Sequence, residues 1–369
     1  MSGEKALPAR ILLVKPSSLG DIIHTLPLAH ALKRCAPDCS IGWVVEEAFQ
    51  EILLADASIE TVYPIRIPST SNPGADSRLQ AYWQAFVATS SVLLKLRKIL
   101  KKKPYTLVFD LQASFRSGLL AMMNPRGKRI GFADARELNT FFQHEKISVP
   151  EDIEHALDKN LLFAQVVHCE VIEDDFHLDT SKDAEAQVEI FLRESGIHKE
   201  AGNEGKDVFV YAQPAARWQS KQWLVNRWSE LADRLQQAGI RVVFGGSKQD
   251  ISMLQTIEKG MLTPAIHAAG RLRLGETAAL LKKAAAYVGV DTGPMHMAAL
   301  TGTPVVALFG PTHPERVGPY GTKSRVLQAD GLDCLCCRKR YCTHQRCMHG
   351  LSVERVFASV IELTQKRRG

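Results

Sequence analysis

In two places along this chain an acid stands where an apolar run gives way to a helix. Ile11-Leu12-Leu13-Val14 leads into Ser17-Ser18-Leu19-Gly20-Asp21, and Tyr287-Val288-Gly289-Val290 leads into Asp291-Thr292-Gly293-Pro294-Met295-His296. An acid at such an elbow points into the crevice above a sheet, and open α/β sheets bind ligands at the carboxyl ends of their strands. Asp21 reads as a helix cap that satisfies free N–H groups or as a general base. The two readings conflict, because the positive end of a helix steadies an anion and so opposes proton abstraction. At the second elbow Gly289, Gly293 and Pro294 suit a tight turn into a helix whose first N–H groups favour a phosphate. Thr292 adds a hydroxyl and His296 lies one turn in, while Asp291 again reads as a cap or as a ligand-facing acid. A third segment, Gln213 to Trp223, sets Arg217 and Lys221 four residues apart after an apolar run. Cations there can stabilise a leaving diphosphate; the plain alternative is two exposed charges.

These side chains need a scaffold of parallel strands. Apolar runs at 10–14, 40–45, 61–65 and 106–110, and again at 208–212, 240–244, 286–290 and 304–309, read as strands covered on both faces. Helical stretches at 20–34, 223–238 and 294–301 alternate with them, so the expected class is α/β with two doubly wound, Rossmann-like domains. Gly245-Gly246 and Gly310-Pro311 mark turns at strand ends. A helix over 182–195, then a polar connector at 197–206, sets the boundary. The expected organisation is an N-terminal domain over 1–180, a C-terminal domain over 181–350 with 181–206 as its linker region, and a closing helix over 351–369. Residues 92–103 read as a basic amphipathic helix, either a surface helix with solvated lysines or a contact with anionic lipid headgroups.

The totals narrow the function. Lys plus Arg is 46 against 40 acids, a net charge of +6. That accommodates an anionic substrate or membrane surface but does not by itself argue for nucleic acid. No apolar run approaches the ~20 residues of a membrane span, and Met1 to Arg10 lacks the apolar centre of a signal peptide. A cytoplasmic chain of this size does not read as a disulfide framework, so Cys35, Cys39 and Cys169 are expected as scattered thiols. Cys334, Cys336, Cys337, Cys342 and Cys347 crowd one short stretch. They could ligate a soft metal, but Arg338, Lys339 and Arg340 interrupt them and a packed or redox-sensitive loop is the alternative; no metal and no cofactor are assigned. The first strand lacks a G-x-G-x-x-G, although Glu46 and Glu47 end the second strand where a ribose-binding acid could sit. No G-x-x-x-x-G-K-[ST] is present either.

Taken together, Lys15 through Pro27 (KPSSLGDIIHTLP), Trp43 through Glu47 (WVVEE), Asp110-Leu111-Gln112, Arg217 through Lys221 (RWQSK), Asp291 through Ala299 (DTGPMHMAA) and Leu308 through Thr312 (LFGPT) resemble glycosyltransferase family 9, the ADP-heptose:lipopolysaccharide heptosyltransferases. The stretch ending in Arg346-Cys347-Met348 also looks like one found in many members. The likeness covers most of the chain, and WVVEE with the HTLP ending looks most like the heptosyltransferase I branch. Where members often carry Asp-x-Gln-Gly this chain has Ala113. Where they often place a Glu after Gly245-Gly246, only Gln249 or Asp250 is available.

The resemblance implies a GT-B fold, two Rossmann-like domains facing a central cleft, and metal-independent, inverting transfer of heptose from ADP-heptose to Kdo-lipid A or a related anionic glycolipid. Asp21 would take the acceptor proton and Lys221 would steady the departing diphosphate. Arg217, Asp291, Thr292, Gly293, Pro294, Met295 and His296 would line the donor. Ser17, Ser18, Gly20 and Gln112 would line the acceptor, with Arg116 and Arg136 meeting its anionic groups unless they are ordinary surface charge. The implied location is the cytoplasmic face of the inner membrane, with no nucleic acid as partner. The alternatives kept open are a relative using a later heptosyl acceptor or another nucleotide sugar, a nucleotide-sugar-binding protein without catalysis, and, weakly, a Rossmann oxidoreductase.

Overall fold

The computed structural model describes residues 10–66, 78–197 and 208–365. The connector expected at 197–206 lies outside them but for Ile197, as do the tail 366–369 and residues 1–9. The chain forms two compact units, Met1–Phe176 and His177–Gly369.

In the first unit the strands are β1 (Arg10–Val14), β2 (Ser40–Glu46), β3 (Thr61–Ile65), β4 (Leu107–Asp110), β5 (Lys128–Phe132) and β6 (Glu145–Ile147). The helices are α1 (Leu19–Ile23), α2 (Leu26–Cys35), α3 (Gln50–Leu54), α4 (Arg78–Lys102), α5 (Phe115–Met122) and α6 (Ala156–Gln165). The sheet is parallel throughout, in the order β3-β2-β1-β4-β5-β6. Strands buried on both faces explain the unbroken apolar runs: Leu12, Val14, Val44 and Val108 pack with Leu96 and Leu100 of α4 in one cluster. The single helix expected over 20–34 is two helices. Pro27 has no N–H to continue a first helix but suits the opening of a second, and the chain breaks at His24 and Thr25.

In the second unit the strands are β7 (Phe209–Gln213), β8 (Arg241–Phe244), β9 (Ile266–His267), β10 (Ala286–Val290), β11 (Val305–Leu308) and β12 (Ser324–Leu327). The helices are α7 (Lys182–Glu194), α8 (Val225–Gln237), α9 (Ile251–Lys259), α10 (Leu274–Lys283), α11 (Gly293–Leu300), α12 (Pro314–Val317), α13 (Arg346–His349) and α14 (Val353–Gln365). The sheet runs β12-β11-β10-β7-β8-β9, again all parallel. Counted from the start of its own unit, each sheet therefore has the doubly wound order 3-2-1-4-5-6, and the order reverses between the first and fourth strands. The closing helix is not a separate piece: Val356, Val360 and Leu363 of α14 enter the same apolar cluster as Val288 of β10 and Trp228 of α8. The short strands β6, β9 and β12 lacked a long apolar run and were not anticipated. Among the described residues no helix is long and apolar enough to cross a membrane.

One expectation about cysteine is overturned. Cys35, at the end of α2, and Cys169, just past α6, form a disulfide with Cα atoms 6.0 Å apart. They lie 134 residues apart in sequence, so no local pattern could pair them; the packing of α2 against α6 does so. Closing a loop of this length restricts the unfolded chain by up to about 5 kcal/mol in the chain-entropy model. Reduction with dithiothreitol is therefore expected to lower the melting temperature, and Cys35→Ala should show the lower value with or without reductant. A melting temperature unmoved by both would show that the bridge does not constrain the chain.

Candidate active site

The reversal of strand order opens a crevice over the carboxyl ends of β1 and β4 in the first unit. Val14 pairs with Asp110 across that reversal, so the loops after β1 and β4 start side by side. Lys15, the first residue past β1, is buried, and its Nζ donates to the Leu111 carbonyl at 2.6 Å. Burial pulls its pKa down, while the carboxylates of Asp21 and Asp110 push it back up. The indole N–H of Trp43 in β2 holds the Lys15 carbonyl at 3.1 Å. The loop then turns into α1, where Ser18 is the cap residue. Asp21 Oδ2 accepts from the Ser18 N–H at 2.9 Å and from the Ser18 hydroxyl at 2.8 Å, the reciprocal half of a capping box. The cap is thus part of the structure, and it holds this half-buried carboxylate at the mouth of the crevice.

Across the crevice, Asp110 ends β4 fully buried. Its Oδ2 accepts from Asn139 Nδ2 at 2.6 Å and Gln143 Nε2 at 2.9 Å, and its Oδ1 from the backbone N–H groups of Gln112 at 3.2 Å and Ala113 at 3.3 Å. Burial pushes this carboxyl's pKa up and the donors pull it partly back. Ala113 adopts φ 57°, in the left-handed region that favours glycine. The side chain of Gln112 is half-buried, and its Oε1 has no hydrogen-bond partner among the described residues.

In the second unit the equivalent reversal lies between β7 and β10. Asp291, the residue after β10, is buried and pairs with half-buried Lys221, which comes from the loop after β7: Nζ lies 2.6 Å from Asp291 Oδ2 and 3.2 Å from the Asp291 carbonyl. Thr312, after β11, donates its hydroxyl to the same Oδ2 at 2.7 Å. His296 Nε2, one turn into α11, stands 3.9 Å from Oδ1. The Lys221 ammonium also sits 4.8 Å from the ring centre of Trp218, a cation–π contact.

The cysteine-rich segment braces both loops that meet at Asp291. Ser220 donates its N–H to the Arg340 carbonyl at 3.2 Å and its hydroxyl to the Lys339 carbonyl at 2.6 Å. The N–H of Cys336 binds the Gly310 carbonyl at 3.0 Å, and that of Arg338 binds the Pro311 carbonyl at 2.7 Å. Gly310 is required by close packing, because a Cβ there would stand 2.7 Å from Cys347 Sγ. All five cysteines of the segment are unpaired thiols.

The sequence-predicted residues fall into place unevenly. Ser17, Ser18, Gly20 and Asp21 form the β1–α1 elbow, and Gln112 lies in the adjoining loop. Arg116 in α5 and Arg136 beyond β5 are exposed. In the second unit Lys221, Asp291 and His296 converge. Thr292 is the cap residue of α11, with Gly293 and Pro294 half-buried behind it and Met295 fully buried. Arg217 is exposed. Gln249 and Asp250 lie in a turn where Asp250 caps Ser247 at 2.7 Å. Two residues went unassigned. Lys15 carries a signal, a lysine closing an otherwise apolar strand, whereas Thr312 carries none beyond its place after Gly310-Pro311.

Comparison with known proteins identifies the family and the fold. The model of glycosyltransferase family 9 (heptosyltransferase) matches residues 93–348. Lipopolysaccharide heptosyltransferase 1 of Pseudomonas aeruginosa is 31% identical over 347 residues, 91% of this chain and 88% of that one. The Escherichia coli heptosyltransferase WaaC, solved with ADP, is 25% identical with a TM-score of 0.69 over 96% of this chain and 99% of its own. A glycosyl transferase family 9 structure from Veillonella parvula DSM 2008 is 22% identical with a TM-score of 0.80 over 97% of both chains. The fold is GT-B, as expected from the sequence.

Ala113 supplies a direct test of the geometry in the first unit. An alanine in the left-handed region costs about 1–2 kcal/mol, against the smaller entropic cost of glycine in the unfolded chain. Ala113→Gly should stabilise the protein by about 0.5–1 kcal/mol in urea unfolding. A loss of stability would show that Ala113 does not hold this conformation.

Proposed function

Because the chain belongs to glycosyltransferase family 9, a family of heptosyltransferases, we propose that it transfers heptose from ADP-L-glycero-D-manno-heptose to Kdo-lipid A in lipopolysaccharide core synthesis, by a single inverting displacement that needs no metal. The observation that carries this reading is the pair Lys221–Asp291. A half-buried ammonium is held at the strand-order reversal, beside the first turn of α11. An ammonium has three N–H groups. Two are engaged by Asp291, and the third is assigned to a diphosphate oxygen, so Lys221 meets the leaving group without leaving its carboxylate unpaired. Thr292, Gly293 and the start of α11 add donors to the same diphosphate, while Arg217, Pro294, Met295 and His296 complete the donor side.

Asp21 is assigned the acceptor proton. As the acceptor hydroxyl attacks the anomeric carbon, its proton passes to the Asp21 carboxylate, the bond from that carbon to the diphosphate oxygen breaks, and ADP departs. The Ser18 bonds orient the carboxylate for this step. Gln112, half-buried in the loop that adjoins the elbow, is assigned to the acceptor; its Oε1 is buried without a hydrogen-bond partner among the described residues. Ser17, Ser18 and Gly20 shape the same mouth, and the exposed Arg116 and Arg136 suit a multiply anionic glycolipid. On this reading the enzyme is cytoplasmic and peripheral to the inner membrane, where such an acceptor resides.

The decisive measurement is ADP release from ADP-heptose, with and without Kdo-lipid A, in EDTA. Acceptor-dependent release in EDTA is expected. Release that needs a divalent ion would overturn metal independence, and ADP binding without release would point to a heptosylated acceptor, to another sugar or to a binding protein. Asp21→Asn keeps an acceptor for the Ser18 cap and should lower turnover by about 10²–10⁴ while leaving ADP affinity intact. Lys221→Ala should weaken ADP binding as well as rate; unchanged ADP affinity would remove Lys221 from the diphosphate.

A further inference from the structure

Away from the crevice, the first unit carries a face that is both apolar and cationic. Its apolar tip is the turn before β6, where Leu138 is 64% exposed and Phe141 81%. A soluble surface has no need to hold a phenylalanine out this far. Here the chain is fastened on either side: Asn139 and Gln143 are buried on Asp110, and Phe142 packs edge-to-face on Phe115 of α5 at 5.3 Å. With the residues around it anchored inward, Phe141 is left facing outward. α5 continues the face with Phe115 and Met122, both exposed, and packs in turn against α4, where Arg97 Nη1 reaches the Met122 carbonyl at 3.5 Å. On α4, Leu94 is 68% exposed and Ile99 51%, and they stand among the exposed Lys95, Lys98, Lys101 and Lys102.

The charge on α4 and α5 is one-sided, while Asp134 and Glu137 stand exposed beside the tip. Between Asp76 and Asp134 the sole acid in the sequence is Asp110, which is buried. Of the acids that border the face, Glu137 accepts from the Phe115 N–H at 3.2 Å and Glu60 stands 3.7 Å from Lys103. A run of lysines set among exposed leucine, isoleucine and phenylalanine is the pattern of a surface that lies on anionic headgroups with its apolar residues dipped among them. A protein partner of ordinary composition would supply carboxylates and an apolar pocket at separate points. A bilayer supplies both along the whole face.

We propose that this face, the outer side of α4 with Phe115, Met122, Leu138 and Phe141, docks the enzyme on an anionic lipid bilayer, with Phe141 as the inserted tip. The inference rests on the reading above that the acceptor is a membrane glycolipid, and it names the surface that would meet the membrane. The tip and the Gln112 loop hang on one carboxylate, Asp110, so docking at the tip would set the acceptor loop at the lipid surface.

The test is flotation of the full chain with vesicles of phosphatidylethanolamine, with and without phosphatidylglycerol. Binding is expected only to the phosphatidylglycerol vesicles. Lys98→Gln and Lys102→Gln should each weaken it about fivefold, and Phe141→Ser about tenfold. All three variants should turn over a water-soluble, deacylated acceptor at the wild-type rate. Vesicle binding that survives Phe141→Ser and the combined lysine variant would overturn the proposal. So would a concentration-dependent dimer without lipid that Phe141→Ser abolishes, since the face would then belong to a second copy. Loss of heptosyl transfer with vesicle binding intact would count against the proposed reaction and leave this surface standing.

Discussion

In each unit a carboxylate is buried at the carboxyl end of the fourth strand, and the loops around it take their positions from the need to satisfy it. Asp110 ends β4 and Asp291 follows β10, the same place in two sheets of the same order. A buried carboxylate without donors is costly, so each has drawn them from loops that are distant in sequence. Asp110 takes two side-chain amides from the 139–143 segment and two N–H groups from its own loop. Asp291 takes a lysine from the loop after β7 and a threonine from the loop after β11. Removing the donors would leave a buried carboxylate uncompensated, at a cost to the fold. The crevice at each strand-order reversal is therefore held open by electrostatics that also define its chemistry.

The two centres differ in what they offer. Among the described residues the donors to Asp110 are neutral, and nearby Lys15 points its ammonium at the Leu111 carbonyl. Around Asp291 the principal donor is a full charge, only partly covered, with an indole face behind it. A neutral, hydrogen-bonding site suits sugar hydroxyls, while a site with a cation at the start of a helix suits phosphate. The asymmetry between the units thus lies less in their folds, which match strand for strand, than in whether the buried acid is answered by amides or by an ammonium.

Much of this was legible in the chain. Unbroken runs such as Ile11–Val14 and Tyr287–Val290, alternating with helical stretches, give the doubly wound class, and the Gly and Ser residues after them mark the elbows. Local pattern leaves Asp21 and Asp291 open between cap and ligand-facing acid, and the roles given to them and to Lys221 come from the family resemblance. What escaped was non-local. Thr312 matters because β11 lies beside β10, and no spacing in sequence announces that. Cys35 and Cys169 meet only because α2 and α6 pack together. The cysteine-rich stretch suggested metal or redox chemistry from its composition. In the fold its backbone braces the Ser220 and Gly310 loops, a role that carbonyl and N–H groups perform whatever the side chains. Ala113 shows the limit from the other direction: the departure from glycine is visible in the sequence, but only φ 57° shows that the backbone kept the glycine conformation.

The bracing of loops by a distant segment also bears on how the proposed enzyme could discriminate its substrates. Lys221 is fixed from three sides: Asp291 holds its ammonium, Trp218 lies beneath it, and Ser220 next to it is tied to Lys339 and Arg340. A cation held this way loses little freedom on meeting a diphosphate, so its contribution falls on the charge that grows as the bond to the sugar breaks. The loop after β4 is framed differently, through its backbone: Asp110 takes the N–H groups of Gln112 and Ala113, and Lys15 holds the Leu111 carbonyl. The Gln112 Oε1 is buried there without a partner among the described residues, and the arginines assigned to the acceptor are exposed. On the proposed reading, acceptor choice then falls to the loops that Asp110 organises in the first unit rather than to Lys221 and Asp291.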